Sequence, residues 1–454
     1  MTTGKDEFIQ ILTEQIRCVK ARSGVAREFA DHIEDQTEYY EAKGMEHETA
    51  VREAVRQMGD PIDVGTQLDL IHRPQTDWRM IFLIVLCSLG GLAVQYATGA
   101  LSTAPGMVQK QCLYMAVGLV IMTGIYFLDY GFIGIYAKEL FVLMALLYGF
   151  GIVLLVPQIN GTYRAAILPM YLFVPVYAGI LYRYRGEGMG GVVRSILWIF
   201  IPVGISWKMI PSLPTAMNLF LICGIMVLTA VAKGWFVVDR KKMFALIIGV
   251  GVVLPVLFAA FSYSFLMLEY QKARIEAFLN PVADPWGRGY VVNRIREMLT
   301  SEGLGLFAGV PGANRDFVSI DTGYCLIQLV VSYGLLFGFA VIAALAKVIA
   351  LAFRTSFRQK NQLGFMISFG CGQIFLVMTL EGIAMNFSLI PGTTVSLPFV
   401  SHGGAAVIVY DILLGLLLAI YRYQNVLDEV KYSAGWKHKP GWRIRLRLQI
   451  EKTD

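Results

Sequence analysis

The sequence predicts an all-α fold: a polytopic membrane protein with about ten transmembrane helices behind a small N-terminal cytoplasmic helical domain. Three observations carry this reading. Of the 454 residues, 56% are hydrophobic and only 16% charged, where soluble proteins carry about a quarter. Apolar runs of roughly 18 residues or more recur from Arg79 onward, long enough to cross a hydrocarbon layer as helix. The Lys and Arg residues of the short connections fall on one side of an even-numbered topology, which marks that side as cytoplasmic.

Residues 1–75 form the first unit. They hold 15 Asp and Glu against nine Lys and Arg, and lack a continuous apolar core, so they are no signal peptide and the first apolar run inserts as an anchor. Ala26, Phe29, Ile33 and Tyr40 recur on one face of a helix. His47 to Met58 is a second amphipathic helix, stopped by Gly59 and Pro61. The unit reads as a solvated helical cap or a docking module.

The membrane domain occupies residues 76–425. Its expected spans are 79–98, 111–128, 139–156, 167–183, 192–207, 215–232, 243–265, 322–350, 362–384 and 403–421. Arg183, Arg185 and Arg194, then Lys233 and Arg240 to Lys242, then Arg354, Arg358 and Lys360 place both termini inside. The long connection 266–320 then lies outside. The basic tail 426–454, with Trp436 and Trp442, either lies on anionic membrane lipids or is solvated. The six cysteines are scattered without metal-ligand spacing, and the five histidines form no cluster, so no metal site is expected from them. Nothing calls for a nucleic-acid partner.

Two segments carry chemistry. The first is YQKARIEAFLNP, Tyr270 to Pro281, continued by DPWGRGY to Tyr290. Lys272, Arg274, Arg288, Arg294 and Arg296 make this outer segment an anion receptor by composition, since guanidinium groups grip phosphate oxygens in a fork. Gly287 and Gly289 permit close backbone approach. The second runs from Asn386 to Arg422 and contains Pro391, Leu397-Pro398-Phe399, Ser401 and Gly403-Gly404. Its prolines forbid a continuous helix, and irregular backbone at membrane depth is tolerated where it is buried in protein or lines a cavity.

These strings resemble the SEDS family, FtsW, RodA and SpoVE. The likeness extends to Lys110–Tyr130, to Asn160-Gly161-Thr162-Tyr163-Arg164 and to Pro211–Ala216, and so covers roughly residues 80–425. The pattern before the first span, HIEDQTEYYEAKGMEHETAVREAVRQMGDP, resembles a small permease prefix domain. The SEDS resemblance implies a peptidoglycan glycosyltransferase of the bacterial plasma membrane, active in cell division or shape maintenance. It would polymerise an undecaprenyl-diphosphate-linked disaccharide precursor beside a single-pass class B transpeptidase. It implies Asp321 as catalytic residue, with Lys110, Arg164, Lys272, Arg274, Asn280, Arg288 and Ser401 binding substrate. No cofactor is required by the residues; a divalent cation sharing the diphosphate charge is compatible with them. A precursor transporter and a non-catalytic scaffold of the cell-wall machinery are the alternatives.

The chain also departs from the family pattern. The family's Asp falls on Gly323, two residues after Asp321, and Asp321 reads equally as the N-cap of the following helix. The family's Pro-Ser-Glu is Pro175-Val176-Tyr177. Ser212 replaces an Asp, Ala165 a Trp, and His402 a Tyr.

Overall fold

A computed structural model of the chain describes residues 3–98, 106–155, 157–158, 162–267, 269–287, 289–310, 322–392 and 397–424, and its regular elements are all helices. The first four are short: α1 (Thr3–Glu14), α2 (Val19–Ala42), α3 (His47–Gln57) and α4 (Pro61–Ile71). Gly59, at φ +86°, ends α3, and the Asp60 side chain accepts the Ile62 and Asp63 N–H groups to start α4 behind Pro61. Phe8, Leu12, Ile16, Val25, Ile33, Tyr40, Ala50 and Ala54 are buried together. The apolar face of α2 therefore includes Ile33 and Tyr40 as expected. Val25 is buried where Ala26 was expected, and Phe29 is only half-buried against Phe8. Buried Asp69 accepts the Arg17 N–H at 2.7 Å and fastens α4 to the turn after α1.

The membrane helices follow. They are α5 (Trp78–Ala97), α6 (Met107–Phe127), a short α7 (Gly131–Ile135), α8 (Ala137–Leu155), α9 (Arg164–Ile167), which passes through a 3-10 turn into α10 (Phe173–Arg183), α11 (Met189–Gly204), α12 (Leu213–Ala232) and α13 (Arg240–Phe261). The long connection is itself helical, with α14 (Glu269–Leu279) and α15 (Tyr290–Leu299). Then come α16 (Cys325–Tyr333), α17 (Leu335–Arg358), α18 (Gln362–Asn386) and α19 (Gly404–Arg422). Eight of the described helical segments are long and apolar enough to cross a membrane, and α8 and α13 occupy the two other expected ranges. The chain is a multi-pass membrane protein. The segments Arg164–Arg183 and Gln362–Asn386 are the most enclosed and form the hub. They are apolar on all sides because they are surrounded by other helices.

The N-terminal helices sit at one end of this bundle. Lys20 pairs with Asp129 after α6 at 3.6 Å, and its ammonium lies 4.4 Å from the centre of the Tyr423 ring. The Gln75 N–H donates to the Arg422 carbonyl at 3.2 Å. The first and last membrane helices are thus joined at this end.

One expected span needs correction. The run 322–350 is not one helix: it breaks at Gly334, with φ +106° and ψ 168°. The nine-residue α16 before the break is buried, and α17 starts afresh after it. The break is held by a distant segment. The first N–H groups of α17, on Leu335 and Leu336, donate to the Gly305 and Leu306 carbonyls at 3.1 and 3.0 Å. The Val310 N–H donates back to Val331 at 2.7 Å. A Cβ at position 334 would lie 2.7 Å from the Leu306 carbonyl oxygen. Gly334→Ala meets both this contact and an unfavourable φ. It should cost about 1–3 kcal/mol, read as a lowered Tm of the detergent-purified protein.

Candidate active site at the far end of the bundle

The far end, away from the N-terminal helices, gathers both irregular segments. Asn386, the last residue of α18, is fully buried. Its Oδ1 accepts the Ile327 N–H at 3.0 Å, and its Nδ2 donates to the Gly323 carbonyl at 3.1 Å and the Gly382 carbonyl at 2.8 Å. One side chain therefore clamps the start of α16 onto the end of α18. Gln328 Nε2 donates to the Thr98 carbonyl and the Tyr333 hydroxyl to the Ala97 carbonyl, tying α16 to the end of α5. Asp321, the expected catalytic residue, lies outside the described residues. The clamp begins two residues after it.

The segment Leu397–Gly403 forms a tight turn. The Ser401 Oγ accepts the Leu397 N–H at 2.9 Å, the Ser401 N–H donates to the Leu397 carbonyl at 3.1 Å, and Phe399 is left-handed at φ +63°. Ser401 is buried and closes this turn; that bond is what the structure assigns to it. Three glycines let helices approach: a methyl on Gly91 of α5 would strike the Phe399 carbonyl, one on Gly382 of α18 would meet Leu397 at 2.7 Å, and one on Gly404 would meet the Tyr114 ring of α6 at 2.9 Å. Gln95 lies one turn beyond Gly91, and Gln111 one turn before Tyr114. Both amide atoms of Gln95, Oε1 of Gln111 and Nε2 of His402 are buried with no hydrogen-bond partner among the described residues. Such groups favour a polar ligand. Burial and the nearby Lys110 charge hold the His402 imidazole below the usual histidine range.

The expected substrate-binding residues come from several elements. Lys110 is exposed in the first turn of α6, and Arg164, half-buried, opens α9. Lys272 lies on α14 with its ammonium 3.9 Å from Glu269, and Asn280 is exposed just past the end of that helix. Arg274 is on α14 with its side chain outside the described set, and Arg288 is outside it altogether. The DPWGRGY segment closes on itself. The Gly287 N–H donates to the Asp284 carboxylate at 3.0 Å, Asn293 Nδ2 donates to the Pro281 carbonyl at 2.8 Å, and a Cβ on Gly289 would strike that same carbonyl. The close approach these glycines permit is therefore within the loop. Ile295 and Met298 of α15 then pack on Ile327, Val330 and Val331 of α16.

Sequence reasoning missed one polar cluster. Glu381 of α18 accepts from Asn218 Nδ2 of α12, which also donates to the Tyr171 hydroxyl at 3.1 Å. Glu381 lies five residues before the end of α18 and Asn218 five after the start of α12, so the cluster lies at this end of the hub. A Glu inside an apolar run was the available signal. Tyr177, where the family pattern has Glu, is fully buried and donates to the Ser195 carbonyl at 2.9 Å. Among the described residues no three His, Cys, Asp or Glu side chains converge as a metal site.

A helical bundle with a broken span, a helical connection packed on that span and buried polar groups at one end defines a multi-pass membrane protein with a polar region at that end. A family model described as Cell cycle protein, covering FtsW, RodA and SpoVE, matches residues 76–426, and the chain belongs to that family. The peptidoglycan glycosyltransferase MrdB of Escherichia coli K12 is 29% identical over 203 residues, 43% of this chain and 54% of its own length. The probable peptidoglycan glycosyltransferase FtsW of Aliivibrio salmonicida is 26% identical over 276 residues, 57% of this chain and 62% of its own. The chain thus spans between half and two thirds of the length of these relatives. A chain from a peptidoglycan synthase complex, solved for its coordination of polymerization and crosslinking, superposes with a TM-score of 0.60 at 19% identity, covering 77% of this chain and 99% of that one. The rod shape determining protein RodA of Thermus thermophilus gives 0.51 at 16% identity, covering 77% and 97%. At these identities the likeness is one of fold.

Asn386→Ala leaves the buried Ile327 N–H without its acceptor. The expected loss is about 1–3 kcal/mol. Hydrogen exchange over 323–333 should accelerate while that of α2 stays unchanged.

Proposed function

We propose that this protein polymerises cell-wall glycan from an undecaprenyl-diphosphate-linked disaccharide precursor. The observation that carries the reading is the match to the family over residues 76–426, joined to the Asn386 clamp, which begins two residues after Asp321 in the sequence. In this reading Asp321 takes the proton from the 4-hydroxyl of the acceptor sugar. That oxygen bonds to the anomeric carbon of the donor, whose bond to the lipid diphosphate breaks. Lys272, Arg274, Arg288 and Lys110 balance the charge on the departing diphosphate, and Arg164 and Asn280 help hold the sugars. A divalent cation belongs to the reading only as a further counter-charge, and no step is assigned to it. Both termini face the cytoplasm of the plasma membrane, and the α14–α15 segment faces outward. The likeness to a chain of a synthase complex supports a single-pass class B transpeptidase as partner.

A second reading, a non-catalytic scaffold, is favoured by Tyr177, which fills an acidic position of the family pattern with a buried structural ring. Purified protein given lipid-linked precursor, with product chain length read on a gel, separates the two. Asp321→Asn should abolish polymer while leaving expression intact, since Asn also caps helices. Normal polymer from that variant removes Asp321 from catalysis. Gly323→Asp tests the displaced position: a protein already using Asp321 loses activity from a second nearby negative charge, whereas a degenerate one gains it. The orientation is checked separately. Single cysteines near Lys241 and within 282–300 of a Cys-free variant should label from opposite sides with an impermeant reagent.

A further inference from the structure

A cleft of about 390 Å³ opens at the end of the bundle that carries the N-terminal helices, far from the candidate active site. It lies between the start of α5, the end of α17 and the end of α19. Leu351, Arg354 and Arg358 recur on α17 at i, i+3 and i+7, so one helix face presents an apolar floor and two guanidinium groups one turn apart. Arg79 of α5 also lines the cleft. Among the described residues no carboxylate lies within ion-pair distance of any of these three arginines. The cleft's own acid, Asp77, is engaged elsewhere: its Oδ1 accepts the Arg79 and Met80 N–H groups at 3.1 Å each as the N-cap of α5. The cleft therefore sets three arginines against one carboxylate, a net positive charge with no ion pair to these arginines among the described residues.

We infer that this cleft binds the phosphate of an anionic phospholipid headgroup. Arginine forks match phosphate oxygens, and basic pockets between transmembrane helices at the inner membrane face suit anionic headgroups. The surroundings favour a lipid over a free anion. Trp78, at the cleft, is 74% exposed, and Phe82 one turn further along α5 and Phe357 next to Arg358 in the sequence are 69% and 68% exposed, giving acyl chains apolar surface and the interface an indole. Asp77 lies in the segment joining α4 to α5, and Gln75 two residues earlier is bonded to the Arg422 carbonyl. A bound headgroup would thus tie α17 to the connection that carries the N-terminal helices.

The test uses the full chain, delipidated in mild detergent. Phosphatidylglycerol, cardiolipin, phosphatidylcholine and inorganic phosphate are added separately, with Tm and lipid retained in native mass spectrometry as readouts. The two anionic lipids should raise Tm and be retained, with phosphatidylcholine doing neither. The double variant Arg354→Gln, Arg358→Gln should retain at least about fivefold less anionic lipid, and Arg79→Gln alone should weaken retention without loss of the fold. Lys241→Gln with Lys242→Gln, removing exposed charge at the start of α13, should change nothing. Equal protection by inorganic phosphate would replace the lipid with a free anion. Equal retention of phosphatidylcholine, or undiminished retention by both cleft variants, would overturn the site.

Discussion

Every feature of the far face depends on one constraint, the supply of hydrogen bonds to backbone that is not helical. An N–H or carbonyl left unpaired in hydrocarbon costs several kcal/mol, so chains cross membranes as unbroken helices unless other protein groups step in. This chain breaks twice at the same end, at Gly334 and between Asn386 and Gly404. At the first break, carbonyls from Gly305 and Leu306 receive the N–H groups that a helix start leaves open. At the second, Ser401 closes the turn, while Asn386 reaches back to the first break. The two irregular segments support each other, and neither can be placed without its neighbour. A polar site can exist at this depth because the same side chains that satisfy the backbone exclude lipid from it.

What the sequence made legible follows from what hydropathy can measure. Long apolar runs gave the membrane helices, and Gly59 with Pro61 marked the stop of an amphipathic helix, which ends at Gln57; the new helix that Asp60 caps there was not read. Gly334 was invisible because one glycine in an apolar run carries no periodic signal. The reason for its conformation lies near residue 306, in a segment whose placement only the fold reveals. Asn386 read only as the first residue of the Pro-containing segment, and its role as a clamp was hidden because two of its partners, Ile327 and Gly323, lie about sixty residues away. Gly287 and Gly289 signalled close approach correctly, but the thing approached is Asp284 and Pro281 of the same loop. Ser401 also pins a turn through the Leu397 N–H, a bond its place in the sequence did not announce.

The departures from the family pattern redistribute polarity within the hub. Tyr177 turns an acidic position of α10 into a packed ring bonded to the α11 backbone. Ser212 bonds to Thr215 within its own turn at 2.7 Å. A carboxylate instead sits on α18, where Glu381 meets Asn218 and, through it, Tyr171. The hub keeps an acid, half-buried on a different helix and bonded to an amide.

The three glycine contacts around the Leu397–Gly403 turn have a mechanical consequence. Gly91 brings the α5 backbone against the Phe399 carbonyl, while Gly382 and Gly404 make room for the Leu397 side chain and the Tyr114 ring of α6. Three contacts locate a body as a tripod does. The Gly91 contact is the stiffest of the three, because backbone pressed against backbone has no rotamer to yield. A tilt of α5 is thus delivered to the turn, and so to the polar face, with little damping.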